Sequence, residues 1–300
     1  TINQNVDKII SLAEQAAETK SEELWSIVNA LNSISSKVNK AEAGRIVALG
    51  DKFIANSPEN GKAYMTTFFE KFKVAAHVGV YFYELSYEDA LKMAKQQGRK
   101  LFIDCYTTWC GPCKYMSETV FKQEKVGDFL NQNFICLKYD MEKGEGPELG
   151  KKFGVRAYPT FLILRPDGSV QHKVVGGGDL EGFIARVEKG LNEKTSLDYL
   201  NKLYEKGKMN KKQLMAYQIA LNDAYEQAKS EKVGEELNKI LKDKDKMKKE
   251  FWPILEESPY GSDNFKLVVN NIAAFNKNIG KEKVDAYLYG NYSQAIDNTT

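Results

Sequence analysis

The sequence predicts an α/β domain in the middle of the chain, flanked by all-α regions on both sides. Three observations predict it. Residues 1–77 and 193–300 repeat apolar positions three and four apart, the spacing of one helix face. Residues 78–192 instead alternate short apolar runs rich in strand formers with helical segments. Within that zone Pro166-Asp167-Gly168 separates two apolar runs, and proline at preset φ followed by a permissive glycine makes a hairpin turn. The expected domains are therefore 1–77, 78–192 and 193–300.

In the first region Val6, Ile9, Ile10, Ala13 and Ala17 share one face, as do Leu24, Ile27, Val28, Leu31, Ile34 and Val38. Ser21 with Glu22 and Glu23 reads as the start of the second helix. A third helix stops by Ser57-Pro58, and a fourth carries Tyr64, Phe68 and Phe72.

The central zone opens with an expected strand at Val80–Leu85. Ser86 and Asp89 then cap a helix that ends at Gly98. Strands follow at Leu101–Tyr106, Phe134–Asp140, Thr160–Leu164 and Ser169–Val175. Helices are expected after Cys110, around Asp128–Asn131, at Pro147–Phe153 and from Asp179 onward. Early parallel strands with crossover helices, then a hairpin and a closing helix, describe a small α/β sandwich. In the last region helices are expected at Ser196–Lys206, Lys211–Lys229, Glu231–Lys242, Lys248–Glu257, Asp263–Lys277 and Lys281–Gly290. Paired helices of this size suggest a solenoid-like helical repeat, but no signature recurs at a fixed period, so the region reads as an irregular helical domain.

Composition excludes some functions. Apolar types make up 42% of the 300 residues, enough for a packed core. The 43 Lys and Arg nearly balance the 41 Asp and Glu, so neither charge sign calls for nucleic acid or a membrane surface. No apolar run approaches the about 20 residues of a spanning helix. Thr1 in place of Met, with no leader after it, fits a mature chain whose leader has been removed.

Four cysteines are too few for a disulfide framework, but Cys110-Gly111-Pro112-Cys113 has redox spacing. Only a thiolate attacks a disulfide, so such a site must stabilise negative sulfur near neutral pH. Cys110 just before a helix meets free N–H groups and the positive dipole end. Pro112 at an early helical position costs no hydrogen bond. Cys110 would attack a substrate disulfide, and Cys113, beyond two intervening residues, would resolve the mixed disulfide. Half a zinc site is the competing reading, but no second Cys-X-X-Cys or paired histidine supplies the other ligands, so no metal and no cofactor are expected.

Trp109-Cys110-Gly111-Pro112-Cys113-Lys114 resembles the active site of the thioredoxin family, and the likeness extends over roughly 110 residues of context. Asp104, six residues before Cys110, resembles the family's buried aspartate. Phe153-Gly154-Val155-Arg156-Ala157-Tyr158-Pro159-Thr160 is similar to the segment with its cis-proline, and Gly168 and Gly176 match its later glycines. The resemblance implies a thioredoxin-like central domain in which Asp104 relays a proton for Cys113. It also implies that Pro159 is cis beside the dithiol, that the backbone at Tyr158 meets substrate, and that Trp109 shields the site and offers contact surface. Differences accompany it: Tyr158 replaces an aliphatic residue, Cys136 replaces a buried lysine with Lys138 two residues on, and Glu142–Glu148 lengthens a loop. With the helical flanks, these features are more similar to secreted bacterial thioredoxin-like proteins, which implies a periplasmic or secreted site over a cytoplasmic one.

The expected function is reduction of protein disulfides, with client proteins and an unidentified electron donor as partners. Disulfide isomerisation is the second reading. A helical binding scaffold whose dithiol only senses redox state is the third. Cys105 and Cys136 read as core residues, and His77 and His172 as structural or exposed.

Overall fold

The computed structural model describes residues 2–17, 24–207 and 209–297. The chain divides into two compact units, residues 1–84 with 114–137 and residues 85–113 with 138–300. The expected cap at Ser21 lies outside the described residues.

The first unit carries helices Ile2–Ala17, Leu24–Ile34, Lys40–Asn56, Glu59–Ala76 and Glu124–Asn133. Its core follows the apolar stripes: Val6, Ile10, Leu31, Phe53, Phe69 and Phe72 are all buried in one cluster. Burial of each such side chain stabilises by about 1.5–3 kcal/mol. Asn39 opens Lys40–Asn56 by accepting from the Glu42 N–H at 2.9 Å, while the Glu42 carboxylate accepts from the Asn39 N–H at 2.8 Å. This reciprocal cap contributes about 1 kcal/mol.

Residues 80–85 do not form the expected strand. Their only ladder contact among the described residues is an isolated parallel bridge from Phe82 to Cys136. The reason lies in where the N–H groups go. Val80 donates to the Phe121 carbonyl at 2.7 Å, and Tyr81 to the Asn131 side chain at 2.8 Å. Donors spent on loop and side-chain acceptors cannot extend a ladder.

In the second unit lie the strands β1 (Lys100–Tyr106), β3 (Thr160–Leu164) and β4 (Val170–Val175); β2 (Phe134–Asp140) begins in the first unit and ends in the second. They form one mixed sheet in the order β2-β1-β3-β4. β1 runs antiparallel to β3 with Asp104 opposite Phe161, and β3 runs antiparallel to β4. Ser86 caps helix Tyr87–Gln97, which ends at Gly98 with φ +63°. Asp179 caps Leu180–Leu191, whose Phe183 ring packs 5.2 Å from Phe161 and 6.2 Å from Phe102.

Helices Leu197–Glu205, Lys211–Asp223, Gln227–Ile240, Asp263–Asn270, Ile272–Ile279 and Lys281–Asp297 share a second core that includes Tyr217, Leu221, Trp252 and Phe275. The expected helix Lys211–Lys229 is broken here. Tyr225 has φ +59°, and its N–H bonds back to Asn222 at 2.9 Å, so a turn replaces helix at 224–226. Asn271 likewise divides the expected Asp263–Lys277 helix, and the last helix runs on to Asp297. His172 of β4 ties this region to the sheet. Its Nδ1 accepts from the Leu197 N–H at 3.0 Å in a fully buried setting. Gly190 is required beside it, because a Cβ there would stand 2.4 Å from His172 Cδ2.

Candidate active site

β1 delivers the chain to the dithiol. All five of its central residues are buried, and the strand period puts Asp104 and Cys105 on opposite faces. After Tyr106 the chain turns, with the Cys110 N–H donating to the Thr107 carbonyl at 3.3 Å. Cys110 stands immediately before helix Gly111–Tyr115 and is joined to Cys113 in a disulfide with an S–S distance of 2.07 Å. The Cys113 N–H donates to Cys110 Sγ at 3.1 Å. A backbone donor on this sulfur favours a charged thiolate over a neutral thiol once the bond is reduced. Both sulfurs are buried, whereas Trp109 beside them is 64% exposed.

Tyr158–Pro159 is a cis peptide bond, as the resemblance implies. The loop around it is closed by hydrogen bonds from Gly176 N–H to the Pro159 carbonyl (2.8 Å) and from Thr160 Oγ1 to the Ala157 carbonyl (2.7 Å). Trp109 and Tyr158 meet edge to face, with ring centroids 5.9 Å apart. These two residues therefore make one aromatic surface.

Asp104 is buried, and its Oδ1 has no hydrogen-bond partner among the described residues. Burial pushes its carboxyl up to about 7, opposed by the positive charge of Lys138. A carboxyl poised there can both take and give a proton near neutral pH. Lys138 thus exerts charge on Asp104 although Cys136 occupies the sequence place of the family's lysine. Burial pushes the Cys105 thiol up, away from the thiolate form. Cys105 and Cys136 are both buried and unbridged.

Two contributors escaped the sequence reading. Glu142 accepts from Trp109 Nε1 at 2.9 Å and so fixes the indole over the site; the lengthened loop that carries it was the available signal. Thr107 is buried, and its hydroxyl lacks a partner among the described residues. Nothing in its local sequence marks it. Among the described residues no group of His, Cys, Asp and Glu could hold a metal ion, and no helix is long and apolar enough to cross a membrane.

Comparison with known proteins places this geometry in context. Residues 82–166 match a family model described as thioredoxin-like. Thioredoxin-1 of Drosophila melanogaster is 36% identical over 81 residues, 25% of this chain and 71% of that one. The thiol:disulfide interchange protein DsbD of Pseudomonas fluorescens is 32% identical over 102 residues, 33% of this chain and 18% of its own length. A Bacteroides thetaiotaomicron protein solved in solution and provisionally described as a disulphide-isomerase is 49% identical, over 38% of this chain and 94% of that one, with a TM-score of 0.36. The chain spans 18% to 64% of the length of the first curated relatives it matches.

Proposed function

The chain belongs to the thioredoxin family, and from that premise we propose that it reduces protein disulfides through the Cys110–Cys113 dithiol. The observation that carries the reading is the environment of Cys110, a sulfur at a helix start that accepts from the Cys113 N–H at 3.1 Å.

In the reduced protein the Cys110 thiolate attacks one sulfur of a client disulfide. A Cys110–client disulfide forms, and the other client sulfur leaves as thiolate and is protonated from solvent. Asp104 as carboxylate takes the proton from Cys113, whose sulfur attacks Cys110 Sγ. The second client sulfur then departs. Two electrons have passed to the client, and the chain is left with the Cys110–Cys113 disulfide. An external dithiol donor must restore the reduced form. Trp109 and Tyr158 present the surface against which the client rests, and Pro159 holds the loop beside the sulfurs. Gly-Pro between the cysteines favours the reducing direction. We infer a periplasmic or secreted site over a cytoplasmic one, a reading supported by the likeness of Tyr158 and the helical flanks to secreted bacterial thioredoxin-like proteins.

Turbidity of insulin in dithiothreitol tests the reading. The full chain should catalyse reduction and the Cys110→Ser variant should not; equal rates would overturn it. In a glutathione mixture a reductase should stand mainly as its disulfide; a mainly dithiol form would overturn the direction. Faster refolding of a scrambled client than reduction of an intact one would make the activity isomerisation. Clients trapped on Cys113→Ser in cells would identify both substrate and compartment.

A further inference from the structure

A groove of about 510 Å3 lies beside the cis-proline loop. One wall is that loop and the sheet edge, with Arg156, Ala157, Thr160, Lys173 and Val175. The other is the turn that broke the expected helix, with Tyr225, Glu226 and Lys229. Ala157 and Thr160, which flank Tyr158–Pro159, line the groove, so it adjoins the cis-proline loop.

The two walls are locked together by Arg186. Its guanidinium donates to the carbonyls of Val175, Gly176 and Gly177 on one side, and to the Asp223 carboxylate at 2.9 Å on the other. Arg186 and Asp223 are both largely buried, at 20% and 14% side-chain exposure, so this pair is shielded from the screening that weakens surface ion pairs. The turn also holds Tyr225 at φ +59°, with the residue 66% exposed. A left-handed aromatic residue is unfavourable and persists only where surrounding contacts impose it.

The charge in the groove is unbalanced. Glu226 stands 3.7 Å from Lys173 and offsets it. Lys229 donates to the neutral Asn201 side chain at 2.7 Å and lies 5.6 Å from the Tyr217 ring, with no carboxylate bonded to it. Arg156 is exposed and has no hydrogen-bond or ion-pair partner among the described residues. Two cations thus line the groove without a bonded carboxylate, beside the apolar side chains of Val175 and Ala228.

We propose that this groove binds an acidic stretch of the client polypeptide next to the cysteine presented to the dithiol. The proposal rests on the oxidoreductase reading and adds the class of substrate to it. A small anion would use the cations alone. A peptide also covers the apolar lining and the Tyr225 ring.

Three disulfide-bridged peptides, identical except for an acidic, neutral or basic flank, test this with the full-length reduced protein. The acidic peptide should show a KM about 5-fold below the neutral one at low salt, with kcat unchanged, and the difference should vanish at high salt. The double variant Arg156→Glu, Lys229→Glu should invert the order so that the basic peptide is preferred. Lys244→Glu, exposed and outside the groove, controls for overall charge and should keep the acidic preference. Equal KM values for the three peptides, or inversion by Lys244→Glu as well, would overturn the groove while leaving the oxidoreductase reading intact. If none of the three is reduced, that reading falls. The groove is then judged by calorimetry with a cysteine-free acidic peptide, and failure of the wild type to bind it overturns the groove too.

Discussion

Replacing Asp104 by Asn in the oxidised protein removes one titrating group without touching the sulfurs, which are locked in their disulfide and do not titrate. The wild-type carboxyl is raised from its ordinary 3.8 to about 7 by burial. A raised folded value means that the folded state binds more protons than the unfolded one between those limits. The stability this supplies is complete below pH 3.8 and is lost as pH rises through 7. The full span corresponds to about 4 kcal/mol, nearly all of it lost by pH 8. That is a large part of the 5–15 kcal/mol that separates folded from unfolded domains. The Asn variant has no such slope. Urea unfolding followed by tryptophan fluorescence at pH 5 and pH 8 reads the effect. The variant should gain on the wild type by about 2–3 kcal/mol between the two. Other groups titrate alike in both proteins and cancel in the difference. Curves that stay parallel within about 0.5 kcal/mol would show that Asp104 ionises normally, and would remove the basis for its proposed role as proton relay.

His172 should act in the opposite sense. Burial pushes its imidazole down from 6.5 to about 4, so stability is full above pH 6.5 and falls by about 3 kcal/mol as pH drops toward 4. Protonation at Nδ1 would also take away the acceptor of the Leu197 N–H. His172→Asn, which offers an oxygen acceptor and cannot titrate, should flatten that acid limb in urea unfolding, and an unchanged limb would refute the assignment. Gly190→Ala places a methyl 2.4 Å from His172 and 2.7 Å from Ile163. It should cost about 1–3 kcal/mol. Gly290→Ala, whose Cβ meets nothing within 4 Å on the last helix, should gain up to about 1 kcal/mol. Thermal unfolding of the pair checks both, and equal shifts would refute the packing argument.

What could be read from the sequence was what local chemistry determines. β2 and β3 appear at the expected bounds because a buried strand is one apolar run between turns, as at Phe134–Asp140 and Thr160–Leu164. Ser86, Gly98 and Asp179 act within four residues of themselves, so their caps were visible too. Cys110 and Cys113 needed nothing beyond their spacing. The desolvation of Asp104 was less legible, since it depends on every element packed around β1. The Trp109–Glu142 bond spans 33 positions and has no pattern at all.

The turn at 224–226 is the sharpest case. Ala224, Tyr225 and Glu226 have ordinary helix propensities, and no glycine or proline interrupts them. Continuous helix was therefore the correct local answer, and the fold overrides it from a distance. Arg186, 37 positions away from Asp223, bonds to that carboxylate and to the strand end after Val175. These contacts oppose the cost of a left-handed tyrosine, about 1–2 kcal/mol. A charge-assisted hydrogen bond contributes about 1.5–3 kcal/mol, so even one suffices to hold the turn. The proposed chemistry is therefore written locally, in two cysteines and a proline. The wall of the groove beside that site is instead assembled from residues whose partners lie far along the chain. A homologue could keep the dithiol and lose the groove by a single change at Arg186 or Asp223. With the groove acting as proposed, reactivity and client choice vary independently.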